Sequence, residues 1–175
     1  MNKLRIFDDF LDIGETYDTL NYFSEDFNKG WQFKGYSVNP DSENIFWHMK
    51  LSDEKLFSER IFKKIESKTN KRFALLDVYA NGQTNGQDGS WHFDDMQDGT
   101  YTFLLYMTYS PIIESTNCNT IGGYTNFNIG ELITSVEPFT NRGVLFRSNI
   151  IHQGLAPQKP NILRISIAYK LKELK

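Results

Sequence analysis

Cysteine is nearly absent from this chain: Cys118 is the only one in 175 residues. A disulfide framework is therefore excluded as a source of stability, and a reducing, cytoplasmic setting is expected. No apolar run approaches the length of a membrane span. The opening stretch, Met1-Asn2-Lys3-Leu4-Arg5-Ile6-Phe7-Asp8-Asp9, has no signal-peptide core. An excess of positive charge is missing too. The net charge is −3 and the isoelectric point about 5.6, which argues against non-specific binding to nucleic acid. Repeats, linkers and low-complexity tracts are lacking. What remains is a single domain over residues 1–175. It is long enough for a substantial core, with 39% hydrophobic and 15% aromatic residues.

Histidine is also scarce, and here scarcity is informative. Any imidazole-based centre must draw on His48, His92 and His152. His92 lies in Ser90-Trp91-His92-Phe93-Asp94. On a β-strand, the two-residue spacing puts His92 and Asp94 on one face. A neutral imidazole and a carboxylate so placed can hold two adjacent positions of a divalent metal. His152 follows the apolar run Gly143-Val144-Leu145-Phe146 and is the natural third ligand. Two His and one carboxylate make the facial triad of non-haem iron(II) oxygenases, which leaves coordination positions open. His48 has no acidic or His partner at ligand spacing, and a structural or substrate-loop role is expected for it.

A His-x-Asp pair arises by chance about a fifth of the time in such a composition, so a further feature has to carry weight. It lies in Asn161-Ile162-Leu163-Arg164-Ile165-Ser166-Ile167-Ala168-Tyr169. Leu163, Ile165, Ile167 and Tyr169 share one face of this alternating segment; Arg164, Ser166 and Ala168 share the other. A buried strand with Arg on its less apolar face needs an anionic partner there. The guanidinium fork binds a carboxylate in bidentate fashion, and Ser166 adds a hydrogen bond. Charge is uneven along the chain: residues 1–98 carry a net −6 and residues 99–175 a net +3. An iron site in the first part and an anion site in the second would produce part of this, and solvated faces the rest.

Taken in order, Leu4–Phe7 reads as a short strand, and Asp8 or Asp9 as the cap of a helix over roughly residues 10–25. Trp31–Tyr36 and Ile45–Lys50 are strand-like, with a turn at Asn39-Pro40-Asp41. Ser52 or Asp53 caps the clearest helix. Its Phe57, Ile61 and Ile65 form an apolar stripe beside Phe62, with Glu59, Lys63 and Glu66 outward, and Asn70-Lys71 ends it. From Arg72 the pattern is β. Phe73–Tyr79 is a strand, 81–89 a polar Gly-rich loop and Tyr101–Tyr109 a long strand closed by Ser110-Pro111. A loop over 112–121 follows. Gly122–Phe127 begins another strand, and Asn141-Arg142-Gly143 is a turn. Val144–Arg147 and Ile162–Tyr169 are the last strands. Such a sequence of elements predicts a mainly β barrel or sandwich with flanking helices on one side.

From about residue 73 to 170 the chain resembles iron(II)/2-oxoglutarate-dependent dioxygenases, most closely their prolyl 4-hydroxylase-like branch. The matching pieces are Tyr79-Ala80-Asn81-Gly82-Gln83, His92-Phe93-Asp94, Thr102–Tyr106, Gly122-Gly123-Tyr124-Thr125-Asn126-Phe127, Val136-Glu137-Pro138, Gly143-Val144-Leu145-Phe146, His152-Gln153-Gly154 and Arg164-x-Ser166. Their order and spacing carry more than any single piece. The resemblance implies a double-stranded β-helix (jelly-roll) core over 71–171, supported by N-terminal helices within 1–70, with the metal inside one mouth. It implies iron(II) on His92, Asp94 and His152. It also implies 2-oxoglutarate held through its distal carboxylate by Arg164, with Tyr79 and Ser166 as hydrogen-bonding helpers, O2 as second cosubstrate and ascorbate as an optional reductant. No further catalytic side chain is implied. Animal collagen-type members use Lys where this chain has Arg164. Nucleic-acid demethylating members carry further Arg and Asn beyond that position, where this chain has Ser166 and Ala168.

Two classes of function follow as expectations. One is a hydroxylase of unactivated C–H bonds, acting on a prolyl peptide or protein, or on a free amino acid or other small metabolite. The other is a non-catalytic jelly-roll module that holds a metal or sugar; it explains the fold and the His residues but not Arg164-x-Ser166. Nucleic-acid and membrane partners are not expected. The segments 81–90 and 31–50 are expected to act as lids, since loops at a barrel mouth carry specificity. Trp91 is expected in the core or pocket wall and Met107 in the core. Arg147 suits either the surface or the site mouth. Gly122-Gly123 is expected where φ is positive or the backbone is approached closely.

Overall fold

The computed structural model describes residues 4–24, 30–37, 44–108 and 121–174. In chain order the elements are β1 (Leu4–Phe7), α1 (Ile13–Ser24), β2 (Gln32–Gly35), β3 (Phe46–Lys50), a π-helical turn (Leu56–Ile61) running into α2 (Phe62–Thr69), β4 (Phe73–Gln83), β5 (Thr100–Tyr106), β6 (Thr125–Ile129), β7 (Leu132–Val136), β8 (Arg142–Arg147), β9 (His152–Gly154) and β10 (Arg164–Glu173). Seven strands make a large sheet in the order β1-β8-β5-β10-β4-β3-β2, and three make a small one, β7-β6-β9. All the pairings are antiparallel. The two sheets are the walls of a jelly-roll, as expected.

Two apolar clusters explain this arrangement. The larger fills the space between the helices and the outer face of the large sheet. Ile165, Ile167, Tyr169 and Leu171 of β10 pack there with Phe57, Ile61 and Ile65 of the helical segment. The smaller lies between the sheets, where Leu104, Tyr106, Val144, Phe146 and Ala168 meet Phe127 and Val136. The stripe of Phe57, Ile61 and Ile65 is fully buried, as its four-residue spacing requires. Met107 is fully buried too. The first 70 residues supply strands as well as helices: β1 pairs with β8, and β3 with β4.

Several local expectations need correction. The cap of α1 is Asp12, not Asp8 or Asp9. Its Oδ1 accepts the Glu15 N–H at 2.9 Å while Glu15 Oε2 accepts the Asp12 N–H at 3.2 Å, a reciprocal capping box. Asp8 instead holds the Arg142 guanidinium. Neither Ser52 nor Asp53 caps the second helical segment. Ser52 Oγ donates to Asp77 Oδ1 at 2.8 Å, and the segment starts after Lys55 without a side-chain cap. Asn70 does end α2, in the left-handed region at φ 54°. Glu66 is not simply outward: its Oε1 accepts the Phe73 N–H at 2.8 Å. Residues 81–83 are strand rather than loop, because β4 is a central strand paired on both sides. Strands β7 and β9 escaped the sequence pattern; β7 is largely exposed and β9 has only three residues. The turn at 39–41, the closing Ser110-Pro111, Cys118 and nearly all of the 112–121 loop lie outside the described residues. Among the described residues, no helix is long and apolar enough to cross a membrane.

Asn141 ties the N-terminal segment to the barrel. It sits at φ 66°. Its side chain accepts the Leu11 N–H at 2.7 Å and donates to Leu11 O at 2.9 Å, both bonds buried. Asn141→Ala leaves both Leu11 groups unpaired and removes the short polar side chain that makes Asn tolerant of the left-handed region. The expected loss is about 2–4 kcal/mol, read as a lower urea midpoint with unchanged slope. A loss below about 0.5 kcal/mol would mean that water replaces the clasp freely.

Candidate metal centre and adjoining cavities

The loop after β4 returns to the barrel through one backbone exchange. His92 N–H donates to His152 O at 3.0 Å, and His152 N–H to His92 O at 2.8 Å. Two histidines 60 residues apart are thereby locked side by side, their ring centroids 4.3 Å apart. Asp94 is placed by its own N–H on Ser148 O at 2.8 Å. His92 sits in an isolated bridge and Asp94 in the turn beyond it, so the two converge through a turn and not along one face of a strand. The result is the one the spacing predicts: the ligand atoms of His92, Asp94 and His152 all lie within 4.8 Å of one another. Asp95 turns away, and its Oδ1 accepts the Gln97 N–H at 2.9 Å.

Both rings are oriented for ligation. His92 Nδ1 lies 2.8 Å from Ser90 O, and His152 Nδ1 lies 2.9 Å from Ile150 O. A carbonyl only accepts, so each Nδ1 carries the proton and each Nε2 presents its lone pair. The Nε2 atoms face Asp94, at 3.5 Å from His92 to Oδ1 and 3.8 Å from His152 to Oδ2. Phe127 and Phe146 pack on the His152 ring. Burial pushes His152 down to about 4, so it is neutral at pH 7 and ready to bind a cation. Burial opposes ionisation of Asp94. The His92 ring, the Lys170 ammonium and the neighbouring His152 outweigh it and hold the carboxyl well below its usual range. Asp94 Oδ2 also takes the Thr102 hydroxyl at 2.5 Å and Lys170 Nζ at 2.6 Å, which leaves Oδ1 as the less encumbered oxygen.

A small cavity of about 60 Å³ connects this group to Arg164. The Arg164 side chain is fully buried. Its Nε donates to Gly123 O at 2.6 Å, Nη1 to Gln83 Oε1 at 2.7 Å and to Ser166 Oγ at 3.3 Å, and Nη2 to Thr125 Oγ1 at 2.8 Å. Every one of these acceptors is neutral, and among the described residues no carboxylate pairs with it. Gly123, at φ 70°, is required here: a β-carbon would lie 3.0 Å from Arg164 Cδ. The donor set at one end and the unneutralised buried guanidinium at the other fit a metal and a dicarboxylate spanning the cavity.

Ser166 and Tyr79 line the same cavity. Tyr79 is deeply buried, and burial raises its hydroxyl above the usual range. A larger cavity of about 520 Å³ opens outward from the metal group. His48 lies on its wall with its ring centroid 5.0 Å from that of Tyr79; it is not a ligand, and burial lowers its pKa. Trp91 is 41% exposed, against the expectation of a core or wall position. Arg147 lies over the Tyr101 ring, on a groove shared with Lys71, away from the metal group.

Four contributors were not singled out from sequence: Thr102, Gln83, Thr125 and Lys170. Lys170 was within reach. The alternation of Arg164, Ser166 and Ala168 continues to it, and only the apparent strand end at Tyr169 hid it. The other three gain their roles from cross-strand register, such as Arg164 opposite Gln83, which no local pattern shows.

No protein-family model matches the chain, and no curated protein does. Solved structures do match. A prolyl hydroxylase from Trichoplax adhaerens, in complex with a hypoxia-inducible-factor oxygen degradation domain peptide, superposes with TM-score 0.76 at 16% identity, covering 99% of this chain and 84% of that one. The non-haem α-ketoglutarate-dependent epimerase of nogalamycin biosynthesis gives 0.71 at 12% identity, with coverage of 97% and 77%. A prolyl-4-hydroxylase from Pseudomonas putida gives 0.65 at 14% identity, with coverage of 99% and 94%. At these identities the likeness establishes the fold.

The depressed His152 makes the metal-free protein acid-sensitive. The unfolded imidazole titrates near 6.5 and the folded one near 4, so between these values the unfolded state binds more protons. Stability therefore falls as pH falls through this window. Between pH 7 and 4.5 the loss from His152 is about 2–3 kcal/mol. Urea titrations of metal-free protein should show it, and His152→Phe, which keeps the aromatic packing, should flatten the slope. An equal slope in the variant would place the titrating group elsewhere.

Proposed function

We propose that this chain is an iron(II)- and 2-oxoglutarate-dependent dioxygenase that hydroxylates an unactivated C–H bond. The observation that carries this reading is Arg164: a buried cation with only neutral partners among the described residues, across a small polar cavity from His92, Asp94 and His152. His92 and His152 would hold iron through Nε2 and Asp94 through its less encumbered oxygen. Arg164 would receive the distal carboxylate of 2-oxoglutarate, with Ser166 and Thr125 beside it and Tyr79 along its length. Bound there, iron(II) with 2-oxoglutarate supplies O2 activation, in which the keto acid is decarboxylated to succinate and CO2 while one oxygen atom enters the substrate C–H bond.

The chain's own residues supply orientation and charge. Ser90 O and Ile150 O fix the imidazole tautomers. Thr102 holds Asp94 against rotation. Gln83, Gly123, Ser166 and Thr125 hold the guanidinium plane and take four of its five N–H groups, which leaves one Nη2 N–H for the carboxylate. The prolyl hydroxylases among the solved structures support a prolyl peptide as substrate, and the nogalamycin epimerase supports a small molecule.

Anaerobic protein mixed with iron(II), ascorbate and 2-oxoglutarate and then exposed to air should form succinate, even without substrate. A metal- or sugar-binding module would form none. Asp94→Ala should abolish succinate formation and weaken metal binding, because two neutral imidazoles no longer balance a dication. Arg164→Ala should raise the Michaelis constant for 2-oxoglutarate about several hundredfold or more, since it removes one partner of a buried pair. Arg164→Lys should be intermediate, keeping the charge but losing the fork. An unchanged Michaelis constant in Arg164→Ala would make Arg164 structural.

A further inference from the structure

We infer that the substrate of this site is a small molecule bearing one free carboxylate, which Lys170 receives at the floor of the outer cavity. This rests on the dioxygenase reading above. The floor of that cavity, about 520 Å³ in volume, is formed by Asp94, Tyr79 and Lys170. Lys170 comes from the inner face of β10, the face that carries Arg164 and Ser166, and its ammonium is largely withdrawn from solvent.

An ammonium has three donors. One goes to Asp94 Oδ2 at 2.6 Å, and the Tyr79 ring lies beside the ammonium with its centroid 5.6 Å away. At least one donor is left for the cavity. Lys34 adds a second, exposed ammonium at the rim, and His48 on the wall is held neutral by burial. Among the described lining residues, Asp94 is the one acidic side chain, and it belongs to the metal group.

A charge count then points to the ligand. Without metal, Asp94 and Lys170 cancel. A dication at the triad and a dianionic cosubstrate on Arg164 cancel each other and leave the charge of Arg164 in the count, as it stands before they bind. The inner set then carries one net positive charge. An uncompensated charge in a desolvated cavity is costly, and the molecule that enters last can neutralise it. A monoanion restores balance. A neutral amide or a capped peptide leaves the surplus in place, and a dianion overshoots it. The volume suits a molecule of about amino-acid size or somewhat larger.

The test is calorimetric and anaerobic, on full-length protein loaded with Mn(II) and 2-oxoglutarate. Failure of 2-oxoglutarate itself to bind would sink the dioxygenase reading before the substrate question arises. With the cosubstrate bound, the probes are straight-chain and aromatic monocarboxylic acids, each against its primary amide. Acetyl-proline-amide stands for a capped peptide. At least one acid should bind about tenfold or more tightly than its amide in the unmodified protein. Lys170→Met should compress that ratio to within about twofold, Lys170→Arg should restore part of it, and Lys34→Met should reduce it less than Lys170→Met does. The inference is overturned if no acid binds, if acids and amides bind alike in the unmodified protein, or if acetyl-proline-amide binds as tightly as the best acid. The comparison in the unmodified protein decides the matter even where a Lys170 variant fails to fold.

Discussion

Burial of one face of β10 under the helices dictates where its charges go. Ile165, Ile167, Tyr169 and Leu171 are sealed against Phe57, Ile61 and Ile65. A strand alternates, so Arg164, Ser166, Ala168 and Lys170 have no choice but to enter the space between the sheets. Each large apolar side chain gains about 1.5–3 kcal/mol from burial, and together they exceed what two buried cations cost once hydrogen-bonded. The register with β4 supplies those partners: Gln83 faces Arg164, and Tyr79 lies beside Lys170. The site is thus a by-product of a well-made core on the opposite face.

The second constraint is the paired backbone exchange between His92 and His152. It joins the loop after β4 to the small sheet and fixes the distance between two rings. Asp94 bridges to the large sheet through Thr102 and Lys170. A divalent metal placed among the three would link both sheets and the loop. The electrostatics follow one rule throughout: burial disfavours every charge, and each charge that persists does so beside an opposite charge or a set of aligned donors and acceptors. His152, with the least compensation, stays neutral. Arg164 lies among neutral acceptors only, as far as the described residues go.

How much of this was legible depends on the range of the signal. Scarcity of histidine pointed straight to His92 and His152, and alternation pointed to Arg164 and Ser166. Gly122-Gly123 was legible as a place of positive φ, which the values of 73° and 70° bear out. Legibility failed where partners were distant. The stretch Asn81-Gly82-Gln83 has loop composition, yet β10 and β3 pair with it on both sides and make it strand. Its polar residues face the cavity, and Gly82 lies under Trp31 and Leu163, where a β-carbon would approach within 3.1–3.2 Å. Asp12 was overlooked as a cap because three aspartates stand close together and only helix geometry chooses among them.

Local pattern alone determined the β-rich class, the helical stripe, the candidate metal group of His92, Asp94 and His152 and the inward Arg164, because each depends on periodicity or on residue types too rare to have substitutes. Tertiary structure alone decided that His92 and Asp94 converge through a turn, that Thr102 and Lys170 share Oδ2 of Asp94, and that Gln83 and Thr125 brace the guanidinium. It also decided that Trp91 and Arg147 stay outside the site. These relations depend on register and sheet packing, which bring together residues tens of positions apart, and nothing in their immediate neighbours along the chain encodes that meeting.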